Sequence, residues 1–135
     1  MKKYILIAFG GFFGAILRIL IEDLDIEKFY IGIIPIKTLF INVTGSFLLA
    51  AVSIYFVEKM TRHLNINLMI CTGFFGAYTT FSTVCREFWI ISNQHYYIQA
   101  VFYICVSIVL GLCSSFAGIH TTRFIMNKNH KEVIK

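Results

Sequence analysis

Gly73-Phe74-Phe75-Gly76-Ala77-Tyr78-Thr79-Thr80-Phe81-Ser82-Thr83 lies in the middle of an apolar segment running from about Leu68 to Ile91. A segment of that length can cross a bilayer as a helix, for which about 20 apolar residues are enough. Its centre is nevertheless poor helix material. Two glycines lower helix propensity, and Thr79, Thr80, Ser82 and Thr83 carry hydroxyls that can bond their own backbone in place of the helical ladder. The pattern predicts a membrane helix broken near its middle. In lipid, freed carbonyls and amides are tolerated only where they are buried in protein or line an aqueous path, and broken helices at mid-depth are a known way of binding ions. The function is therefore to be sought at this break.

Outward from the break, the rest of the chain is of the same kind. A hydrophobic content of 58%, a mean hydropathy of +0.76, one proline and 14% charged residues in 135 exclude both an ordinary soluble domain and a disordered chain. Spans can be drawn at about Tyr4 to Ile21, Thr38 to Val57, Leu68 to Ile91 and Tyr97 to Ile119. The chain reads as one all-α membrane domain, residues 1–135, of four transmembrane helices with a break in the third. The first span follows Lys2 and Lys3 like a signal peptide, but it lacks a small-residue cleavage site and carries Arg18, so it is expected to stay.

The formal charge of +5 is unevenly spread. Lys2, Lys3, Lys59, Arg62, Arg123, Lys128, Lys131 and Lys135 flank the spans on the side of the termini, whereas Lys28 and Lys37 face Glu22, Asp23, Asp25 and Glu27 on the other. Arg18 and Arg86, counted towards the far side, weaken this bias without reversing it. By the positive-inside rule both termini are cytoplasmic, in a multi-pass protein of the cell membrane. No basic stripe is interleaved with exposed aromatics, which argues against a nucleic-acid partner. Cys71, Cys85, Cys105 and Cys113 all fall within spans and read as buried small hydrophobes. His63, His95, His120 and His130 are scattered over segment ends and tails without ligand spacing. No nucleophile stands with a base, so no enzyme is expected.

Each remaining span has a face of small or polar residues. Gly10, Gly14 and Arg18 recur at four-residue steps in the first, with Gly10 and Gly14 suited to close helix packing. Arg18 sits near enough to the helix end either to snorkel or to draw anions towards a path. The loop from Glu22 to Pro35, with Phe29-Tyr30-Ile31, is expected at the membrane interface. In the second span Thr38, Asn42, Gly45 or Ser46, Ala50 and Ser53 form a stripe that must face protein or water. Asn42 is its most telling member, because an unpaired buried amide costs about 2–7 kcal/mol. Either it bonds a neighbouring helix or it aims a donor at an anion. Gly73, Gly76, Ala77, Thr80 and Val84 are expected on one face of the third span, with Arg86 and Glu87 pairing near its end with each other, with Arg18 or with another subunit. In the fourth, Tyr103, Ser107, Gly111 and Ser115 fall in one row and Ser114 and Gly118 in another. The tail from Arg123 to Lys135 is expected to fray.

Donors without intramembrane carboxylates suit an anion. No Asp or Glu occupies the middle of a span, so a proton-coupled cation exchanger lacks its ionisable site. Hydroxyls, an amide and the positive edges of aromatic rings can together replace part of an anion's hydration shell, and Phe81 stands at the break. Small-residue faces on all four helices imply an oligomer.

These residues resemble the Fluc (CrcB) family of fluoride channels along essentially the whole chain. Gly10 to Arg18 is similar to the family's first-helix motif, Thr38 to Phe47 to the second, and Gly76 to Thr83 to the third-helix break. The resemblance implies a fluoride-selective channel for passive export that lowers cytoplasmic fluoride. It implies an antiparallel dual-topology dimer with paths at the subunit interface and a central structural Na+ held by the backbone carbonyls of Gly76 and Thr79. It further implies fluoride contacts from Asn42 and Phe81, a polar track of Ser82, Thr83, Tyr103 and Ser107, and a vestibule containing Arg18. Three positions depart from the family pattern. Val84 stands where a second phenylalanine is usual, Ile19 follows Arg18 in place of Tyr, and Lys37 replaces a Gly. With the fixed charge bias, these departures suggest a heterodimer with an oppositely inserted homologous subunit. Rivals from other classes fit less well. A small multidrug-resistance exporter needs a carboxylate in the first span, which residues 4–21 lack, and a non-transporting assembly subunit leaves Asn42 and the hydroxyl run unexplained.

Overall fold

The computed structural model describes residues 1–24, 34–59 and 64–133. Within them run α1 (Lys2–Asp23), α2 (Ile36–Lys59), α3 (Leu64–Asn67), a π-helical segment (Leu68–Phe74), α4 (Phe75–Tyr78), α5 (Phe81–Asn93) and α6 (Tyr97–Val133). Four stretches are long and apolar enough to cross a membrane: Lys2–Asp23, Ile36–Glu58, Leu64–Asn93 and Tyr97–Lys128. The protein is thus an all-α, four-span membrane fold whose third span is interrupted. The interfacial placement expected for Phe29-Tyr30-Ile31 falls outside the described residues.

Backbone approach at glycine sets the helix pairing. A Cβ on Gly10 would run into the Met69 carbonyl, one on Gly14 into the Phe74 carbonyl, and one on Gly73 into the Ile7 carbonyl. The Gly10/Gly14 face therefore seats α1 directly on the backbone of the π segment, where dispersion rather than the hydrophobic effect holds helices together. Across the molecule α2 packs on α6. There Ser114 Oγ donates to the Val43 carbonyl at 2.6 Å, and Gly118 leaves room for the Phe47 carbonyl. Val84, Ile91, Ala100 and Tyr103 form one buried cluster between α5 and α6, and Ile41, Phe75 and Tyr78 form another under the break. Phe9, Phe12, Leu112, Phe116 and many other large apolar side chains lie outside, as the lipid-facing surface of a membrane helix bundle requires.

Three features differ from the sequence expectation. Cys85, Cys105 and Cys113 lie on the outer face of the bundle and Cys71 is only partly covered, against the expectation that all four are buried. Gly73 and Gly76 do not share a face, since Gly73 is buried against α1 while Gly76 is exposed with open space where a Cβ would stand. The π segment ends between them at Phe74, and an extra residue in a helical turn re-phases the residues beyond it by about 100°. The basic tail does not fray after Arg123 either. It continues α6 as helix to Val133, because no Gly or Pro comes after Gly118 to stop the ladder, and Arg123 Nε lies 3.3 Å from Glu58 Oε1 on α2. The turn from α5 to α6 closes by a Schellman arrangement, in which His95 N–H donates to the Ser92 carbonyl at 3.0 Å and Tyr96 N–H to the Ile91 carbonyl at 3.3 Å. His95 holds the left-handed conformation there, at φ 66°.

Two neighbouring glycines give a direct check on the α1 contact. A Cβ at Gly11 meets nothing nearer than 3.7 Å, so Gly11→Ala is expected to be neutral or slightly stabilising, by helix propensity. Gly14→Ala is expected to cost about 1–3 kcal/mol, because the atom it strikes is backbone and cannot swing aside. Unfolding midpoints of the two variants in a denaturing-detergent titration separate the cases, and equal midpoints would mean that α1 does not rest on the π segment.

Candidate functional site

The break consists of two consecutive extended residues. Thr79 has φ −76° and ψ 152°, and Thr80 has φ −146° and ψ 119°, between α4 and α5. Where the local backbone bonds go explains what the break leaves open. In an unbroken helix Thr80 N–H would close on the Gly76 carbonyl; here it donates to Asn42 Oδ1 on α2 at 2.8 Å. Thr83 N–H would close on the Thr79 carbonyl; here it donates to Thr80 Oγ1 at 3.2 Å, which makes Thr80 the N-cap of α5. The break leaves the carbonyls of Gly76, Ala77, Tyr78 and Thr79 without their helical donors, and for Gly76 and Thr79 those donors are bonded to Asn42 and to Thr80 Oγ1 instead. Phe75, by contrast, keeps its partners, accepting from Thr79 N–H at 3.0 Å and from Thr79 Oγ1 at 2.8 Å.

Three successive break residues are seated on α2. Asn42 Nδ2 also donates to the Thr80 carbonyl at 2.9 Å, so its amide both gives and receives. Gly45 makes room for Thr79, whose methyl a Cβ would strike. Thr44 Oγ1, its own proton directed to the Phe40 carbonyl at 2.7 Å, accepts from Tyr78 Oη at 2.9 Å. Tyr78 is buried and stacked on Phe74. Thr38, Asn42, Gly45 and Ser53 of the α2 stripe thus turn towards the third span, Ser53 donating to Cys71 Sγ at 3.5 Å, while Ala50 lies against Gly118 of α6.

On the opposite side, the break faces outward. Phe81 is 77% exposed, and Gly76 and Ser82 are exposed as well. Thr80 Oγ1 lies 3.2 Å from Ser82 Oγ and 2.9 Å from Thr83 Oγ1, a small hydroxyl cluster at the start of α5. Val84, one residue on, turns inward into the Ile91, Ala100 and Tyr103 cluster.

Tyr103 and Ser107 take part in different contacts from those of the outward cluster. Tyr103 is fully buried, and its hydroxyl donates to Glu87 Oε2 at 2.6 Å, while Thr38 Oγ1 donates to Glu87 Oε1 at 2.7 Å. Glu87 accordingly takes two hydroxyls, from α2 and α6, in place of Arg86 or Arg18. Ser107 Oγ donates to the Tyr103 carbonyl at 2.7 Å, one turn back. Arg18 stands at the same end of the bundle, its Nε 3.8 Å from Glu22 Oε1, too long for a hydrogen bond. Lys37 Nζ donates to the Glu22 carbonyl at 2.8 Å, a cation closing the C-terminal end of α1. Sequence reasoning misses the Thr38–Glu87–Tyr103 trio as a unit. Its signal is present all the same, since Thr38 heads the α2 stripe and Tyr103 the α6 row, both near the span end that carries Glu87.

Among the described residues no cluster of three His, Cys, Asp or Glu side chains is placed to hold a metal. A cation at the break would be met by main-chain oxygens, and an anion by the Phe81 ring edge and the hydroxyls beside it.

Comparison with known proteins points the same way. Residues 5–119 match the family model described as "CrcB-like protein, Camphor Resistance (CrcB)". The chain is 38% identical over 125 residues to "Fluoride-specific ion channel FluC" of Sulfurihydrogenibium sp. (strain YO3AOP1), covering 93% of this chain and 100% of the relative. It is 33% identical over 130 residues to "Fluoride-specific ion channel FluC 2" of Carboxydothermus hydrogenoformans, covering 96% and 94%. Over 117 residues it is 34% identical to "Fluoride-specific ion channel FluC 1" of Staphylococcus aureus (strain NCTC 8325 / PS 47), covering 87% and 93%.

The Glu87 contacts predict a measurable coupling. Tyr103→Phe leaves a half-buried carboxyl oxygen without its donor and is expected to cost about 1–3 kcal/mol. Paired with Glu87→Gln in a double-mutant cycle of detergent unfolding, the two changes should fall short of additivity by about 1 kcal/mol. Strict additivity would mean that the hydroxyl and the carboxyl do not act together.

Proposed function

This chain belongs to the CrcB-like family, and from that footing we propose that it is a subunit of a fluoride-selective channel that lets fluoride leave the cell passively and so lowers its toxicity. The observation that carries the reading is the break itself. A helix interrupted in its middle, held on α2 by Asn42, turns a ring edge and hydroxyls outward at Phe81, Ser82 and Thr83. Fluoride is small and strongly hydrated, so a path for it must replace water with short, fixed donors. One Asn42 amide hydrogen is engaged by Thr80; the other is assigned to the anion, with the Phe81 edge opposite and the Ser82 and Thr83 hydroxyls along the track. For Tyr103 and Ser107 to continue that track, their hydroxyls would turn from the Glu87 carboxyl and the Tyr103 carbonyl that they bond here, and Arg18 would attract the anion to that end.

The donor set at the break also fits a resident Na+. The Gly76 and Thr79 carbonyls, freed of their helical donors, would hold it, and when bound it would supply a fixed positive charge near the path. Gly76 is exposed with open space around it, so a second chain is needed to complete such a site. We assign the assembly as an antiparallel dimer with an oppositely inserted homologous subunit, the termini of this chain being cytoplasmic. Three observations support a heterodimer. Basic residues crowd the side of the termini; the second aromatic position is Val84 and faces inward; and relatives bear the numbered names FluC 1 and FluC 2.

The test is fluoride release from liposomes read with an electrode, with chloride release as the control. The expected result is silence from this chain alone and fluoride-selective efflux once a homologous subunit of opposite charge bias is co-expressed. Rapid efflux from the chain alone would overturn the heterodimer and leave the channel. Silence with every such partner would overturn the channel.

A further inference from the structure

The proposed cation site and the α2 helix are joined by one hydrogen bond. Thr80 is buried, and a buried N–H must find an acceptor. In the extended turn it uses Asn42 Oδ1 at 2.8 Å; were Thr79 and Thr80 to take helical dihedrals, its acceptor would be the Gly76 carbonyl. Whichever acceptor takes the Thr80 proton decides whether the Gly76 oxygen is open to a cation. We infer that Asn42 is the positioning residue of the cation site, holding the Gly76 carbonyl free by drawing Thr80 N–H to itself, in addition to any contact it makes with the permeating anion. This rests on the Na+ reading above and goes beyond it.

The surroundings favour a fixed rather than a passing role. Asn42 grips both polar groups of Thr80, with Nδ2 on the carbonyl at 2.9 Å and Oδ1 on the N–H, so the amide cannot turn over without losing two bonds. The residues before Thr80 are held by the same helix, Thr79 in the space over Gly45 and Tyr78 by Thr44 at 2.9 Å. Neither of those contacts can take the Thr80 proton. Removal of the Asn42 acceptor alone should therefore let Thr79 and Thr80 rotate towards helical dihedrals and return Thr80 N–H to Gly76.

The experiment separates the two duties of Asn42 by a readout other than conduction. The full-length protein, purified with its co-expressed partner where one is required, is melted at a series of Na+ concentrations at constant ionic strength, with N-methylglucamine as the replacement. The expected wild-type behaviour is stabilisation by Na+ with a definable midpoint. Asn42→Ala should raise that midpoint about tenfold, the equivalent of about 1.4 kcal/mol. Asn42→Asp keeps an acceptor for Thr80 N–H and should leave the midpoint no higher than in the wild type, although it loses the amide donor and fluoride efflux falls. If Asn42→Ala does not fold, Asn42→Gln, which displaces the acceptor by one methylene, should still raise the midpoint about threefold. A wild-type midpoint in Asn42→Ala, or in Asn42→Gln where that variant stands in, would overturn the inference while leaving the Na+ reading intact. Absence of any Na+ effect in the wild type would remove the Na+ reading and the inference together.

Discussion

The reciprocal hydrogen bond between the Asn42 amide and the Thr80 backbone is the contact on which the rest of this structure depends. A membrane helix can be broken only if the groups it releases are satisfied by something other than water. Asn42 satisfies two of them at once, and the Thr80 hydroxyl satisfies a third by capping α5. What remains unsatisfied then lies on the outward side, by Gly76, Thr79 and the start of α5. A leucine at position 42 would leave the Thr80 N–H and carbonyl without their partners on α2, and the break would lose its principal anchor. The polar residue that makes the site is thus on a different helix from the site itself.

The same economy governs the hydroxyls. Thr79, Ser107 and Thr121 donate to carbonyls one turn back on their own helices, and Ser114 donates across to α2. A hydroxyl bonded in this way has used its one proton and can only accept, so a hydroxyl row read from sequence overstates the donors along a path. The hydroxyls around Thr80 differ because they bond one another in a cluster beside exposed positions. Glu87 is the counterpart further along α5, a carboxyl placed within reach of two fixed hydroxyls from different helices.

Much of this is legible from residue spacing. The four spans follow from apolar length, and the α2 stripe of Thr38, Asn42, Gly45 and Ser53 is turned to the third span as period and polarity require. The break itself follows from glycines and a hydroxyl run. What spacing does not supply is phase. Gly73 and Gly76 would share a face in a regular helix, but the π segment between Leu68 and Phe74 rotates them apart, sending one to α1 and the other outward. A π turn is set by tertiary fit, here the close seating of Gly10 and Gly14 on the Met69 and Phe74 carbonyls, and leaves no local signature. The helical course of α6 beyond Arg123 escapes a reading of composition for a related reason. Polar residues suggest the end of a helix, although polarity marks only the end of the membrane; without Gly or Pro the ladder continues.

One chain carries only part of what the proposed site needs. Hard cations such as Ca2+ or Mg2+ surround themselves with about six or more oxygens, and the break of one chain offers only the few carbonyls left without helical donors. A second chain meeting it about a two-fold axis through the break doubles the donor set with no new residue type, because an isologous contact presents each patch to its own equivalent. Such an axis in the membrane plane requires opposite insertion of the two chains, which accords poorly with a single sequence whose basic residues favour one orientation. The rings follow the same reasoning. Phe81 is outward and Val84 is packed into its own subunit, so a partner carrying a ring at the position of Val84 would make the two halves of the proposed assembly unlike. Charge bias and ring placement are independent features of this chain, one at the ends of its spans and the other at the break, and both favour a partner that is homologous without being identical.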